Sequence, residues 1–105
     1  MQYKKGQDNM EKLLKSFLVF LEKDKKMAGN TLESYNRDLT QYFTYLNDVG
    51  IDFKNVTNTN IVTYLFYLQQ NGKSNATVSR HLASIRSFYQ YLCRTKEIDV
   101  DPTLN

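Results

Sequence analysis

The residues best placed to do chemistry lie in one stretch, Ser74 to Arg94, which reads SNATVSRHLASIRSFYQYLCR. Val78, Leu82, Ile85, Tyr89 and Leu92 recur at intervals of four, three, four and three, the spacing of one stripe along an α-helix. Opposite that stripe fall Ala76, Arg80, Ala83, Ser84 and Ser87. This is a small, hydroxyl-bearing surface from which one long guanidinium projects, so a bulky partner can approach it closely. The charge around it narrows the choice of partner. Between Asp52 and Glu97 stand Lys54, Lys73, Arg80, Arg86, Arg94 and Lys96 without a single acidic residue. The residues up to Asp52 carry eight basic and eight acidic groups, and Glu97, Asp99 and Asp101 close the chain, so the basic excess is local. Lysines and arginines often do no more than solvate a helix. An acid-free run of this length favours a polyanion instead, because phosphate binding rewards cations through counterion release.

Other chemistries find little support. His81 and Cys93 are the only residues of their kinds, too few for a structural zinc site, and no disulfide framework is available, which suits a reducing cytoplasm. No cofactor motif, glycine-rich phosphate loop, paired carboxylates or nucleophile with an adjacent base is present, so a free-standing enzyme is not expected. None of the eight tyrosines reads as a nucleophile, since Tyr35, Tyr42 and Tyr89 fall on apolar stripes. No apolar run reaches the length of about 18 residues that spans a bilayer, and MQYKKGQDN lacks the core of a signal peptide. A soluble, cytoplasmic chain without membrane contact is therefore expected.

The elements that must position these residues are helices. With 105 residues, 41% of them hydrophobic, the chain has room for one small core. Residues 1–8 read as a flexible lead-in, residues 9–97 as the helical domain and residues 98–105 as the start of a linker. Met10, Leu13, Leu14, Phe17 and Leu21 give a first helix from about Met10 to Lys26, with Asp8 and Glu11 as a capping pair. Asn30 and Glu33 repeat the capping pattern before Leu32, Tyr35, Leu39, Tyr42, Phe43, Leu46 and Val49, and Gly50 stops this second helix. Its polar side offers Thr31, Ser34, Arg37, Thr40, Gln41 and Thr44, groups able to bond phosphates or base edges.

After a loop over residues 51–56, Thr57 is an N-cap with Val56 and Ile61 as a hydrophobic staple, and a third helix runs from Asn58 to Gln70. Val62, Phe66 and Tyr67 lie off its main stripe, which places this helix either centrally in the bundle or beneath a partner; central packing is the expectation. Ser74 caps the fourth helix, which should reach about Lys96, and Pro102 bars its continuation, leaving room for a short fifth element. The fold class is all-α, four main helices joined by short turns.

Two segments carry a family resemblance. Asn30-Thr31-x-x-Ser34-Tyr35-x-Arg37-Asp38-Leu39 is followed by Thr77-Val78-x-Arg80-x-Leu82-x-x-Ile85-Arg86-x-Phe88-Tyr89-x-Tyr91-Leu92 and then Asp101-Pro102. In order and spacing they resemble the N-terminal core-binding domain of Xer-type tyrosine recombinases and phage integrases, over about Glu11 to Pro102. The resemblance implies a compact orthogonal helical bundle of the SAM-like type, one half of a C-shaped clamp on double-stranded DNA, with two helices at the major groove. By order these are helices two and four. Carried over by position, Thr31, Ser34 and Arg37 are contacts from helix two, and Thr77, Arg80 and Arg86 from helix four. Gln41, Lys73, Asn75, His81 and Ser84 join them from geometry and charge, while Tyr35, Leu39, Leu82, Ile85 and Tyr89 fall to the core. The family's chemistry, attack of a tyrosine on a phosphodiester to give a 3′-phosphotyrosyl link, resides in a second domain after the proline. The chain is accordingly expected to be a non-catalytic piece of a longer recombinase. Its implied partners are duplex DNA, other protomers on synapsed DNA and the catalytic domain of the same parent chain. The competing reading is a helical protein-interaction domain that uses Phe66, Tyr67 and their neighbours.

Overall fold

The computed structural model describes the backbone of residues 2–104 and the side chains of residues 9–104. All regular structure among these residues is helical: α1 (Gln2–Lys23), α2 (Gly29–Val49), a single 3-10 turn (Phe53–Asn55), α3 (Asn58–Gln70) and α4 (Asn75–Arg94). The chain divides into two compact units, Met1–Phe53 and Lys54–Asn105. Each is a pair of helices, α1 with α2 and α3 with α4.

In the first unit Met10, Leu14, Phe17 and Leu21 are the buried face of α1, and Leu39, Tyr42, Phe43 and Leu46 that of α2. Burying side chains of this size contributes about 1.5–3 kcal/mol each. Phe17 meets Tyr35 edge-on, with ring centroids 5.8 Å apart. α1 begins eight residues before the expected Met10, and the Asp8 side chain of the expected capping pair is outside the described residues. α1 also ends three residues short of Lys26, which takes a left-handed φ of 56° and reverses the chain. That reversal lets α2 start at Gly29 behind Ala28, which offers no side-chain cap, so the capping pair expected at Asn30 and Glu33 is not used. Gly50 ends α2 as expected: its φ is 75°, its N–H reaches the Asn47 carbonyl and that of Ile51 reaches Leu46, the paired bonds of a Schellman turn. The loop that follows is less irregular than expected, because Phe53 is buried beside Phe43 at a centroid distance of 6.3 Å.

In the second unit α3 has the expected limits. Thr57 accepts from the Asn60 N–H at 3.2 Å, while the Asn60 side chain accepts from the Thr57 N–H at 2.9 Å, a capping box with asparagine in place of glutamate. Val56 and Ile61 are both buried, as a staple requires. Ser74 caps α4 by accepting from the Thr77 N–H at 3.2 Å. A second Schellman turn at Gly72 and a third at Lys96 end α3 and α4; Lys96 holds a left-handed φ of 64° without being glycine.

No fifth helix forms among the described residues after Lys96. The expected linker is tied down as far as the structure follows it. Asp101 is buried and its Oδ1 accepts from the Thr103 N–H at 2.8 Å and from the Thr103 hydroxyl at 2.6 Å. The Asn58 side chain donates to the Pro102 carbonyl at 3.3 Å, joining this segment to the start of α3.

Candidate nucleic-acid interface

The decisive geometry is the rotational phase of α4. Its buried residues are His81, Ser84, Ile85, Phe88, Tyr89 and Leu92. The face expected from Val78, Leu82, Ile85, Tyr89 and Leu92 is turned by a fraction of a turn, leaving Val78 and Leu82 only half-buried. His81 is 2% exposed and Ser84 4%, so both leave the outward surface to which the sequence assigned them. The physical reason is visible at Tyr64. This fully buried tyrosine places its hydroxyl 3.4 Å from His81 Nδ1, giving the imidazole a polar partner inside the core. Phe88, one turn beyond Ser84, draws the same face inward. Ser87, also expected outside, is half-buried.

What α4 turns to solvent is Ala76, Ser79, Arg80, Ala83, Arg86, Gln90 and Arg94. Three guanidiniums thus share one stripe with two alanines and two neutral polar groups, whereas helical spacing alone set only Arg80 there and Arg86 was expected from the resemblance. Ser79, Gln90 and Arg94 were missed because the phase was set without Phe88. At the N-terminal end of α4, Lys73 and Asn75 are exposed and Thr77 is half-buried, its hydroxyl accepting from Ser74 at 3.1 Å. No acidic residue occupies the first turn, so α4 itself sets no carboxylate against the positive end of its dipole.

On α2, in the other unit, Thr31 and Arg37 are exposed, as are Thr40 and Thr44, while Ser34 and Gln41 sit half-buried on the flank. The Thr44 hydroxyl donates to the Thr40 carbonyl at 2.9 Å. Asp38 is buried between the expected contacts Arg37 and Gln41 and was missed as a core residue. Its spacing from Tyr35 and Tyr42 was the available indication, because intervals of three and four set it on the apolar face.

Lys54, at the start of the acid-free run, lies 3.7 Å from Glu97, the acid that closes it, and the pair is partly exposed. A groove of about 610 Å³ lies beside this pair, between residues 54–58 and 97–104. Glu97, Asp99 and Asp101 all line it, which makes it unsuited to phosphate. Nearby, burial pushes the Cys93 thiol above its ordinary pKa, and the carboxylates of Asp101 and Asp99 add to the effect. Among the described residues no three His, Cys, Asp or Glu side chains converge as a metal site, and no helix is long and apolar enough to cross a membrane. Tyr42, Tyr64 and Tyr89 are fully buried, so none of these phenols can reach a phosphodiester.

An all-helical chain with basic and hydroxyl side chains on two helices defines a class of small helical module, and residues 14–96 match the model of the phage integrase N-terminal SAM-like domain. The chain belongs to that family. It is 50% identical over 93 residues to a protein of Caldanaerobacter subterraneus subsp. tengcongensis named as a tyrosine recombinase, covering 89% of this chain and 32% of the relative. It is 40% identical over 98 residues to the tyrosine recombinase XerD of Oceanobacillus iheyensis, covering 91% and 33%. With the tyrosine recombinase XerC of Herpetosiphon aurantiacus it shares 29% over 97 residues, covering 91% and 32%. The chain therefore spans about a third of the length of the curated relatives it matches.

Proposed function

We propose that this chain is the DNA-binding module of a longer site-specific tyrosine recombinase and that it holds the enzyme on its recombination site without catalysing strand exchange itself. The single observation that carries the reading is the solvent stripe of α4, where Arg80, Arg86 and Arg94 alternate with Ala76, Ser79, Ala83 and Gln90. Guanidiniums supply phosphate contacts and bidentate base contacts, and the alanines let a sugar-phosphate backbone come near the helix. Lys73, Asn75 and Thr77 extend this surface at the start of α4. Thr31, Ser34, Arg37 and Gln41 are the corresponding contacts from α2. His81 and Ser84 are withdrawn from the set because they are buried. Domain limits of 9–97 for the module follow the same reading, as do its partners: duplex DNA, further recombinase protomers and the catalytic domain of the parent chain.

Titration of the chain against duplex DNA tests the proposal. A handful of phosphate contacts gives binding on the order of micromolar or weaker, falling steeply between about 50 and 200 mM salt. Binding indifferent to salt, or none at low salt, overturns it.

A further inference from the structure

α3 does not take the central position expected for it: Val62, Phe66 and Tyr67 are exposed, and the helix ends at the surface. Its C-cap is Asn71, followed by Gly72, and both are exposed. Of all the asparagines in the sequence, this one alone precedes a glycine. The turn itself calls for that pairing. Gly72 holds a left-handed φ of 82°, its N–H reaches the Gln69 carbonyl at 3.0 Å, and that of Lys73 reaches Leu68 at 3.1 Å. The lack of a side chain that suits Gly72 to this turn also leaves its nitrogen sterically open to the carboxamide carbon of its neighbour. For that reason an asparagine followed by glycine is the one most prone to close on its own backbone.

We propose that Asn71 is a deamidation site that the folded turn holds closed, and that its conversion loosens the junction of α3 and α4. In the reaction the Gly72 nitrogen gives up its proton and attacks Cγ of Asn71. The N–Cγ bond forms, the Cγ–Nδ2 bond breaks, and Nδ2 leaves as ammonia with the released proton. Water then opens the succinimide at either carbonyl, giving aspartate or isoaspartate at position 71. Three features of the folded chain oppose the first step. The Asn71 ψ is 17°, which sets the Gly72 nitrogen on the side away from Cβ, whereas ring closure needs it beside Cβ. The Gly72 N–H is engaged by Gln69, and Nδ2, the leaving group, donates to the Tyr67 carbonyl at 2.8 Å. Reaction therefore passes through opening of the turn, a local event rather than global unfolding. The product turns a favourable contact into an unfavourable one. A carboxylate cannot donate to the Tyr67 carbonyl, and it adds negative charge at the negative end of the α3 dipole. It is also the first acid within the run between Asp52 and Glu97, two positions from Lys73. On the DNA reading above, on which this last consequence alone rests, conversion weakens duplex binding.

The experiment is peptide mapping by mass spectrometry of the chain held at neutral to mildly alkaline pH, in native buffer and in concentrated urea, beside hydrogen exchange of the Gly72 amide. In urea Asn71 should convert ahead of every other asparagine, to both products. In native buffer conversion should slow by at least the exchange protection of the Gly72 amide, a factor of about ten or more, because both processes need the same N–H released. Asn71→Asp, the product made directly, should melt lower and exchange the Gly72 amide faster. Asn71→Gln, whose amide would have to close a larger ring, should abolish conversion at this position. Equal rates in native buffer and urea overturn the proposal, as do another asparagine converting first in urea or an Asn71→Asp chain with unchanged melting temperature and exchange. Duplex titration separates the two readings. An unmodified chain that fails to bind sinks the DNA reading alone, while an Asn71→Asp chain that binds as tightly as its parent sinks the link from conversion to binding.

Discussion

Replacing Arg80 and Arg86 together by glutamine tests the direction in which α4 faces. Both are exposed on the solvent stripe, and glutamine keeps helix propensity and much of the side-chain length while removing the charge. Each phosphate contact releases about 0.9 of a counterion, so at about 0.1 M salt one contact is worth about 8-fold in affinity and two are worth roughly 60-fold. The slope of log K against log salt should become shallower by about 1.8 in the double variant. Fluorescence anisotropy on a labelled duplex at four or five salt concentrations measures both quantities. The matched control is Lys12→Gln with Lys15→Gln, which removes the same charge from exposed positions on α1. The control should lose little affinity. If it loses as much as the α4 pair, binding is a matter of net charge, and the assignment of α4 as the contacting helix is refuted. The same follows if the α4 pair changes neither affinity nor slope.

The phase of α4 is open to a stability test. Phe88→Ala, at a fully buried site, should cost about 3–5 kcal/mol in urea denaturation, whereas Leu82→Ala, at a half-buried one, should cost less than about 2. Lys96→Gly should stabilise the chain by about 1 kcal/mol, because glycine holds the left-handed φ of 64° without steric cost; a calorimetric melting temperature higher by about 4–8 °C would register it. Cys93 should react with a thiol reagent more slowly than the unfolded chain at neutral pH, with its pH midpoint displaced upward by burial and by Asp101 and Asp99. Since the folded chain keeps that proton to higher pH than the unfolded chain, stability should fall as pH rises from the ordinary thiol pKa through the folded one, and Cys93→Ser should flatten that slope.

Punctuation residues explain why much of the fold was legible in the sequence. Thr57, Gly72 and Ser74 fix the ends of α3 and the start of α4 through their own backbone and side-chain bonds, and Gly50 does the same for α2, so local chemistry sufficed. Helix phase was harder to read. Placing a histidine and a serine outside is sound by composition, and only the hydroxyl of Tyr64, seventeen positions away, makes His81 acceptable inside. Asp38 misled in the same way. At the start of α1 the difficulty was of another kind, since residues 2–8 carry no apolar period from which a helix could be read. The exposed side of α3 showed the opposite fault: a hydrophobic count cannot separate a side chain covered by its own fold from one left bare.

The bonds joining Asn58 to Pro102 and Asp101 to Thr103 also bear on how the molecule can be handled. A fluorophore or affinity handle fused beyond Leu104 would depart from a braced stalk at the foot of α3 rather than swing from a loose cord. Distances measured from such a probe would then report where the whole second helical pair points, and a spacer inserted ahead of the probe would blur that reading.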